Sequence, residues 1–162
     1  MKKVLANKKA IKLVGLSART NTKCEMNPET AKIGSLAGRF WSQGIAERIS
    51  NRKNPGVTLS VYTDYESDEY GDYTYFIGEE VSSFENVATD LRQLIIPVSN
   101  YQKFTTAVGK MPDVVIDAWM QIWKMTAADF GGQRAYRADF EVYDQRARDP
   151  NNTSLDVYVG IK

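Results

Sequence analysis

The sequence predicts an α+β fold in which two similar strand–helix–strand–strand units are related by a pseudo-two-fold axis. The order of strand-like and helical patterns is the same in both halves of the chain. The hairpins predicted to end the two halves also share residues, since Val61-Tyr62 corresponds to Val142-Tyr143 and Phe76-Ile77-Gly78 to Tyr158-Val159-Gly160. We therefore expect one antiparallel sheet with two main helices and a central cleft along the seam between the repeats.

The chain is long enough for one domain that contains both repeats. The 162 residues amount to about one domain, so we expect a single domain over residues 1–162. The first repeat is predicted at about residues 10–80 and the second at about 93–162. The polar segment between them connects the two repeats.

Seven segments have the alternating or branched apolar pattern that is typical of strands. They are residues 10–18, 57–65, 73–78, 94–98, 101–109, 137–144 and 154–160. One hairpin is predicted in each repeat, and the acidic residues 66–72 are predicted to form the solvated tip of the first hairpin.

Two main helices are predicted, one in each repeat. The first extends over about Pro28–Ser50, because Asn27 and Pro28 have the residue types of a helix start and apolar residues then recur at helical spacing. The second extends over about Pro112–Ala128 on the same criterion and ends before Gly131, a residue type that commonly stops a helix.

The composition excludes several kinds of site. The chain has no histidine and a single cysteine, Cys24, so it holds no Ser-His-Asp triad, no imidazole metal site and no multi-thiolate zinc site. A formal net charge of +1 argues against direct nucleic-acid binding, which needs an excess of cations. We expect no metal and no cofactor.

The hydropathy pattern bears on localisation. No segment approaches the roughly 20 apolar residues of a membrane span. The N-terminal lysines are not followed by the apolar core of an export signal. We therefore expect a cytoplasmic protein with no membrane association.

Glu141 is the candidate for a charged group in the cleft. Period-two alternation places Asp139, Glu141 and Tyr143 on one face of the predicted strand and Phe140 and Val142 on the other. Glu141 then lies either in an aromatic cleft, without a basic partner nearby in the sequence, or on a solvated face of the sheet. The strand pattern alone leaves both alternatives open.

Aromatic side chains are the candidates for the walls of a pocket. At helical spacing such residues belong more often to the core, and the functional alternative is an aromatic cage that attracts a cation. The candidate wall residues are Trp119, Trp123, Trp41, Phe40, Tyr62, Tyr75 and Tyr143.

Three stretches of the second half resemble a known family. They are Met111-Pro112 before a helix with Ala118-Trp119-x-x-Ile122-Trp123, then Asp139-Phe140-Glu141-Val142-Tyr143-Asp144, and the closing Leu155-Asp156-Val157-Tyr158-Val159-Gly160-Ile161. With the duplicated plan around them, they resemble the GyrI-like, or bacterial transcription-activator effector-binding, domain. The resemblance covers essentially the whole chain and is greatest to the stand-alone, integron-associated effector-binding proteins.

The resemblance implies a pair of repeats around a central pocket, in which a glutamate among aromatic rings receives lipophilic cations. Carried over by the motif, that glutamate is Glu141. The chain contains no helix-turn-helix segment, so the resemblance implies a domain that binds a small molecule alone or acts with a partner transcription regulator.

Three functions remain open at this point. The first is a binding protein for lipophilic, cationic organic compounds. The second is a small hydrolase of strained or electrophilic compounds, in which Glu141 is the general base or the nucleophile. The third is a protein-interaction inhibitor of the gyrase-inhibitor type. One carboxylate in an aromatic pocket completes a cation site, whereas hydrolysis needs further positioned groups, so the binding protein is favoured.

Overall fold

The computed structural model describes all 162 residues as an α+β fold. The strands are β1 (Lys2–Lys8), β2 (Ile11–Thr20), β3 (Thr58–Thr63), β4 (Tyr73–Glu80), β5 (Arg92–Ile96), β6 (Ser99–Thr105), β7 (Ala138–Tyr143) and β8 (Asp156–Ile161). The α-helices are α1 (Thr22–Glu25), α2 (Ile33–Ser42), α3 (Asp113–Trp123) and α4 (Ala127–Phe130), with short 3-10 helices at Ile45–Arg48 and Gln145–Ala147. The predicted fold class is confirmed.

All eight strands form one sheet in the order β1-β6-β8-β7-β3-β4-β2-β5, with antiparallel neighbours throughout. The units β2-α2-β3-β4 and β6-α3-β7-β8 meet where β3 pairs with β7. At this junction Ser60 lies directly opposite Glu141. A two-fold axis between these residues exchanges Tyr62 with Tyr143, which agrees with the correspondence of the repeats in the sequence.

The sequence correspondence of β4 with β8 needs a correction of register. Leu59 pairs with Gly78, and its counterpart Phe140 pairs with Tyr158. Gly78 therefore corresponds to Tyr158 and not to Gly160. Glycine is required at both positions for another reason, because a Cβ on Gly78 would lie 2.2 Å from the carbonyl oxygen of Val14 and a Cβ on Gly160 would lie 2.9 Å from that of Ala138.

Strands β1 and β5 connect the two repeats. β1 pairs with β6 of the second repeat, and β5 pairs with β2 of the first. Only Lys9 and Ala10 separate β1 from β2, although these strands lie near opposite ends of the sheet. The two ends must therefore approach each other, and the sheet rolls around a buried cluster that includes Leu13, Val61 and Phe140.

Two further apolar clusters attach the helices to the other face of the sheet. Phe40 of α2 packs with Tyr75 and Ile77 of β4, whereas Ile122 of α3 packs with Val157 of β8. Because side chains alternate along a strand, this face also carries Ser60, Tyr62, Glu141 and Tyr143. The junction of the repeats is thus covered by helices on the side where Glu141 lies.

The first predicted helix, Pro28–Ser50, is wrong in length. Helix α2 begins at Ile33, where the carboxylate of Glu25 accepts hydrogen bonds from the backbone N–H groups of Lys32 and Ile33. A side chain distant in sequence thus provides the cap that the sequence assigned to Asn27. Gly44, with φ of +59°, ends the helical path and is followed by a 3-10 turn.

The second predicted helix, Pro112–Ala128, is divided in two. Helix α3 ends at Trp123, and α4 begins anew at Ala127 with Thr126 as its N-cap. In this capping box the Thr126 hydroxyl accepts from the backbone N–H of Asp129, and the Asp129 carboxylate accepts from the backbone N–H of Thr126. Gly131 ends α4 with φ of +72°, as predicted. No helix is both long and apolar enough to cross a membrane.

Candidate functional site

A cavity of about 510 Å³ opens between α3 of the second repeat and the α1 and β3–β4 region of the first. Most of its wall is apolar. Its aromatic side chains are Tyr62, Tyr65, Tyr73, Trp119 and Trp123, and its charged ones are Glu25, Glu69 and Arg134. The cavity therefore lies on the predicted seam, and its volume suits a ligand with several rings.

The carboxylate of Glu141 lies directly behind this wall. Its Oε2 accepts hydrogen bonds from the Tyr62 hydroxyl at 2.8 Å and from Nε1 of Trp119 at 2.7 Å. Its Oε1 accepts one from the Tyr143 hydroxyl at 2.5 Å. Glu141 is only 2% exposed, and none of the ion pairs in the structure includes it. The alternative of a solvated sheet face is therefore wrong for Glu141, which is buried behind the aromatic wall and does not itself line the cavity.

Because Glu141 is buried without a cationic partner, its carboxyl group has an altered pKa. Desolvation raises the pKa of Glu141 above its ordinary value, and the three hydrogen bonds from Tyr143, Trp119 and Tyr62 oppose that rise. Burial and the neighbouring carboxylate raise the pKa values of Tyr62 and Tyr143 well above that of free tyrosine. The two phenols consequently stay protonated and act as hydrogen-bond donors.

Three of the eight predicted site residues line the cavity. Tyr62 and Trp119 form its inner wall and are in edge-to-face contact, with ring centroids 5.4 Å apart. Trp123, which is 58% exposed, forms part of its rim one turn further along α3. These residues are brought together as predicted, and their role in ligand binding remains a prediction.

Three other predicted residues lie behind the wall. Glu141 and Tyr143 belong to the hydrogen-bonded group described above. Tyr75 is buried with its ring centroid 5.5 Å from that of Tyr62, and its hydroxyl shares a 2.8 Å hydrogen bond with Ser60. Tyr75 therefore supports Tyr62 from within the core and does not line the cavity.

The last two predicted residues lie apart from the cavity. Phe40 is 1% exposed and belongs to the core beneath α2, as its place on the apolar face of that helix requires. Trp41 is 51% exposed and packs edge-to-face on Tyr143 at 5.8 Å between centroids. Neither lines the 510 Å³ cavity.

Sequence reasoning missed a polar group at the far side of the cavity. The buried carboxylate of Asp139 accepts hydrogen bonds from the Tyr65 hydroxyl and from Nη2 of Arg134, both at 2.6 Å. Glu69, expected at a solvated hairpin tip, is half-buried and accepts a 2.6 Å hydrogen bond from the Tyr136 hydroxyl. The prediction of a solvated tip is therefore wrong for Glu69. The one signal in the sequence was the density of tyrosines around the acidic segment.

The polar groups of the site form no metal centre. No three or more Asp, Glu, Cys or His side chains are grouped so that they would hold a metal ion. What the arrangement offers is an aromatic surface backed by a buried negative charge.

Comparisons with known proteins show what this chain is similar to. A family model described as integron-associated effector binding protein matches residues 5–161. YobU of Bacillus subtilis, whose name marks it as a candidate transcriptional regulator, is 29% identical over 151 residues, covering 93% of this chain and 92% of YobU. The transcriptional regulator BrlR of Pseudomonas aeruginosa is 26% identical over 132 residues, which span 79% of this chain but only 47% of BrlR.

Solved structures show the same fold. The integron cassette protein VCH_CASS2 of Vibrio cholerae superposes with a TM-score of 0.78 at 26% identity, over 99% of this chain and 95% of that one. SAV2435, solved with tetraphenylphosphonium bound, superposes with a TM-score of 0.77 at 17% identity, over 100% of this chain and 94% of its own.

Proposed function

Because the chain belongs to the family of integron-associated effector-binding proteins, a family of small-molecule binders, we propose that its ligand is a lipophilic organic cation held in the 510 Å³ cavity. The observation that carries the proposal is Glu141, a buried carboxylate with three neutral donors and no cationic partner. A ligand cation supplies the missing charge.

The aromatic wall between Glu141 and the cavity favours a cationic ligand over a neutral one. Tyr62 and Trp119 both donate to the carboxylate and both line the cavity. Aromatic faces attract cations, and donation to a carboxylate polarises these rings so that their faces become more negative. Glu25 and Glu69 add negative charge on the wall itself, whereas the charge of Arg134 is paired with Asp139.

A structural neighbour gives further support. SAV2435 was solved with tetraphenylphosphonium, a permanent lipophilic cation. At 17% identity that likeness concerns the fold, and it suggests a suitable probe for this chain.

The test is calorimetric titration with tetraphenylphosphonium and with triphenylphosphine oxide, a neutral analogue of similar shape. We expect Glu141→Gln to weaken cation binding by roughly 1–2 kcal/mol, because the carboxylate acts on the cation through space and through the aromatic wall, and to leave the neutral compound nearly unaffected. Asp117→Asn, which changes an exposed carboxylate of α3 outside the cavity wall, is the matched control. Equal losses for cation and neutral compound would contradict the proposal.

The pH dependence gives a second test. The cation stabilises ionised Glu141, whose pKa is raised in the empty protein. Affinity for tetraphenylphosphonium should therefore increase as pH rises through that raised pKa, and Glu141→Gln should remove this increase.

The hydrolase alternative has less support from the geometry. A general base needs access to its substrate, and Tyr62 and Trp119 stand between Glu141 and the cavity. The raised pKa values of Tyr62 and Tyr143 also keep both phenols protonated, so neither is available as a general base. Incubation with strained-ring electrophiles followed by mass spectrometry distinguishes turnover from binding.

A further inference from the structure

A second cavity of about 650 Å³ adjoins the candidate site. Thr22, Glu69, Trp123 and Arg134 line both cavities, so they are two chambers with a common partition. The second chamber continues past the end of α3 toward α4, where Phe130 and Gln133 belong to its wall. An elongated ligand that filled both chambers would extend across these shared residues.

The two chambers differ in charge. Glu25 is the charged residue that lines only the first chamber, and Lys162 is the one that lines only the second. Glu69 and Arg134 lie on the partition. With Glu141 behind the first chamber, negative charge is concentrated at that end, whereas the second chamber adds the side-chain ammonium of Lys162 to its wall.

Arg134 has hydrogen-bonding capacity that the protein does not use. Its side chain is 10% exposed, and Nη2 donates to Asp139. Nε is buried and has no hydrogen-bond partner. The guanidinium also lies 4.4 Å from the ring centroid of Tyr136, which holds its plane in place at the partition. Nη1 makes no hydrogen bond within the protein and is not among its buried unsatisfied atoms, so it is the donor that an acceptor on a ligand can meet from the chamber.

We propose that the two chambers together bind a single dipolar aromatic ligand, with its lipophilic cation in the first chamber and a carboxylate in the second, near Arg134 and Lys162. This rests on the proposed function for the first chamber and adds the second. A carboxylate suits the site because a planar guanidinium forms directional, charge-assisted hydrogen bonds to its oxygens.

The experiment compares two probes that differ only in the acid group, (carboxybenzyl)triphenylphosphonium and its methyl ester. Both are permanent cations, so both report on the first chamber, whereas only the free acid reports on the second. We expect the wild-type protein to bind the acid roughly tenfold more tightly than the ester in calorimetric titrations.

Two variants locate the carboxylate. Arg134→Lys keeps a positive charge beside Asp139, so that the buried acid is not left unpaired, but removes the planar donors. Lys162→Gln removes the exposed cation of the second chamber. Lys162→Gln should reduce the preference for the acid severalfold and leave ester binding unchanged, because Lys162 lines only the second chamber. Arg134 lines both chambers, so Arg134→Lys is judged by the ratio of acid affinity to ester affinity, which should fall severalfold. Lys110→Gln, at an exposed lysine that lines neither chamber, should change neither affinity.

The outcomes separate this inference from the proposed function. If the wild-type protein binds the ester at least as tightly as the acid, the dipolar ligand is excluded while the cation site stands. A preference for the acid that survives both Arg134→Lys and Lys162→Gln also overturns the inference. If neither probe binds, the cation site and the inference both fail.

Discussion

The two sides of the pseudo-two-fold axis use the same pair of residue types and differ in what surrounds them. On one side Tyr62 packs edge-to-face on Trp119, and on the other Tyr143 packs edge-to-face on Trp41. Both tyrosines donate to the carboxylate of Glu141. Yet the first pair lines the 510 Å³ cavity, whereas Trp41 is half-exposed and neither it nor Tyr143 lines that cavity.

The difference shows how a duplicated fold acquires one site. A carboxylate on the axis is accessible to a tyrosine from each repeat, and Glu141 occupies that position while its counterpart is Ser60. The cavity itself depends on α1, which has no counterpart between β6 and α3, and on residues of the β3–β4 connection such as Tyr65 and Glu69, which enclose the space beside Trp119. The symmetric sheet places the charge, and the asymmetric additions build the pocket.

The largest loss of stability is expected when both residues beside the two-fold axis carry a carboxylate. Ser60→Glu would place a second carboxylate directly opposite Glu141 in a buried position. Two unpaired buried charges cannot both be ionised at low cost, so we expect a loss of about 3–5 kcal/mol in the free energy of unfolding at neutral pH. Urea denaturation of Ser60→Gln gives the steric part, and an equal loss for both variants would show that charge is not the cause.

The next largest effect is a difference in stability between variants of Trp119 and of Trp41. Trp119→Ala removes a buried ring and a hydrogen bond to Glu141, and we expect a loss of about 3 kcal/mol or more. Trp41→Ala removes a half-exposed ring and should cost less than about 1 kcal/mol. Thermal and urea denaturation of both variants test this, and similar losses would mean that the two sides are energetically equivalent.

The two tyrosines should be equal in stability and unequal in binding. Tyr62→Phe and Tyr143→Phe each remove one hydrogen bond to Glu141 and should each cost about 1–2 kcal/mol. Only Tyr62 lines the cavity, so only its variant should weaken tetraphenylphosphonium binding beyond the common effect on Glu141. Calorimetry that finds the same affinity for both variants would contradict this assignment of sides.

The smallest effect is the pH dependence of the empty protein. The pKa of Glu141 is raised by burial, so the folded state holds its proton longer than the unfolded state does. Stability should therefore fall as pH rises from the ordinary glutamate value of 4.5 to the raised value. Glu79 has a raised pKa as well, so the quantity to measure is the difference between the wild-type protein and Glu141→Gln. A constant difference across this range would contradict burial as the cause.

Sequence patterns predicted what repeats with a short period and missed what depends on distant contacts. Alternation in β7 identified the face on which Glu141 lies, and helical spacing placed Trp119 on the buried face of α3. Strand β1 was missed because its residues are mostly exposed and rich in lysine, and its pairing with β6 is a main-chain property. The cap that Glu25 provides for α2 likewise comes from outside the helix pattern.

The far side of the site was beyond sequence reasoning for the same reason. Arg134, Tyr65 and Asp139 meet through contacts between segments 74 residues apart in the chain. The residues next to Arg134 in the sequence do not indicate that its side chain is buried. Its environment is fixed by the tertiary fold, which brings the segment after α4 against the first hairpin.

The exchange of edge strands makes the two repeats a single cooperative unit. Unfolding of the first repeat would release β1 and leave β6 as a bare edge, and unfolding of the second would do the same to β2 by releasing β5. Neither repeat therefore keeps a complete sheet without the other. Slow amide exchange should extend across β2 and β6 together, because both are protected by strands that belong to the opposite half. The strands behind the pocket, β3 and β7, lie in the middle of this sheet, so we expect the floor of the pocket to open only when the sheet does.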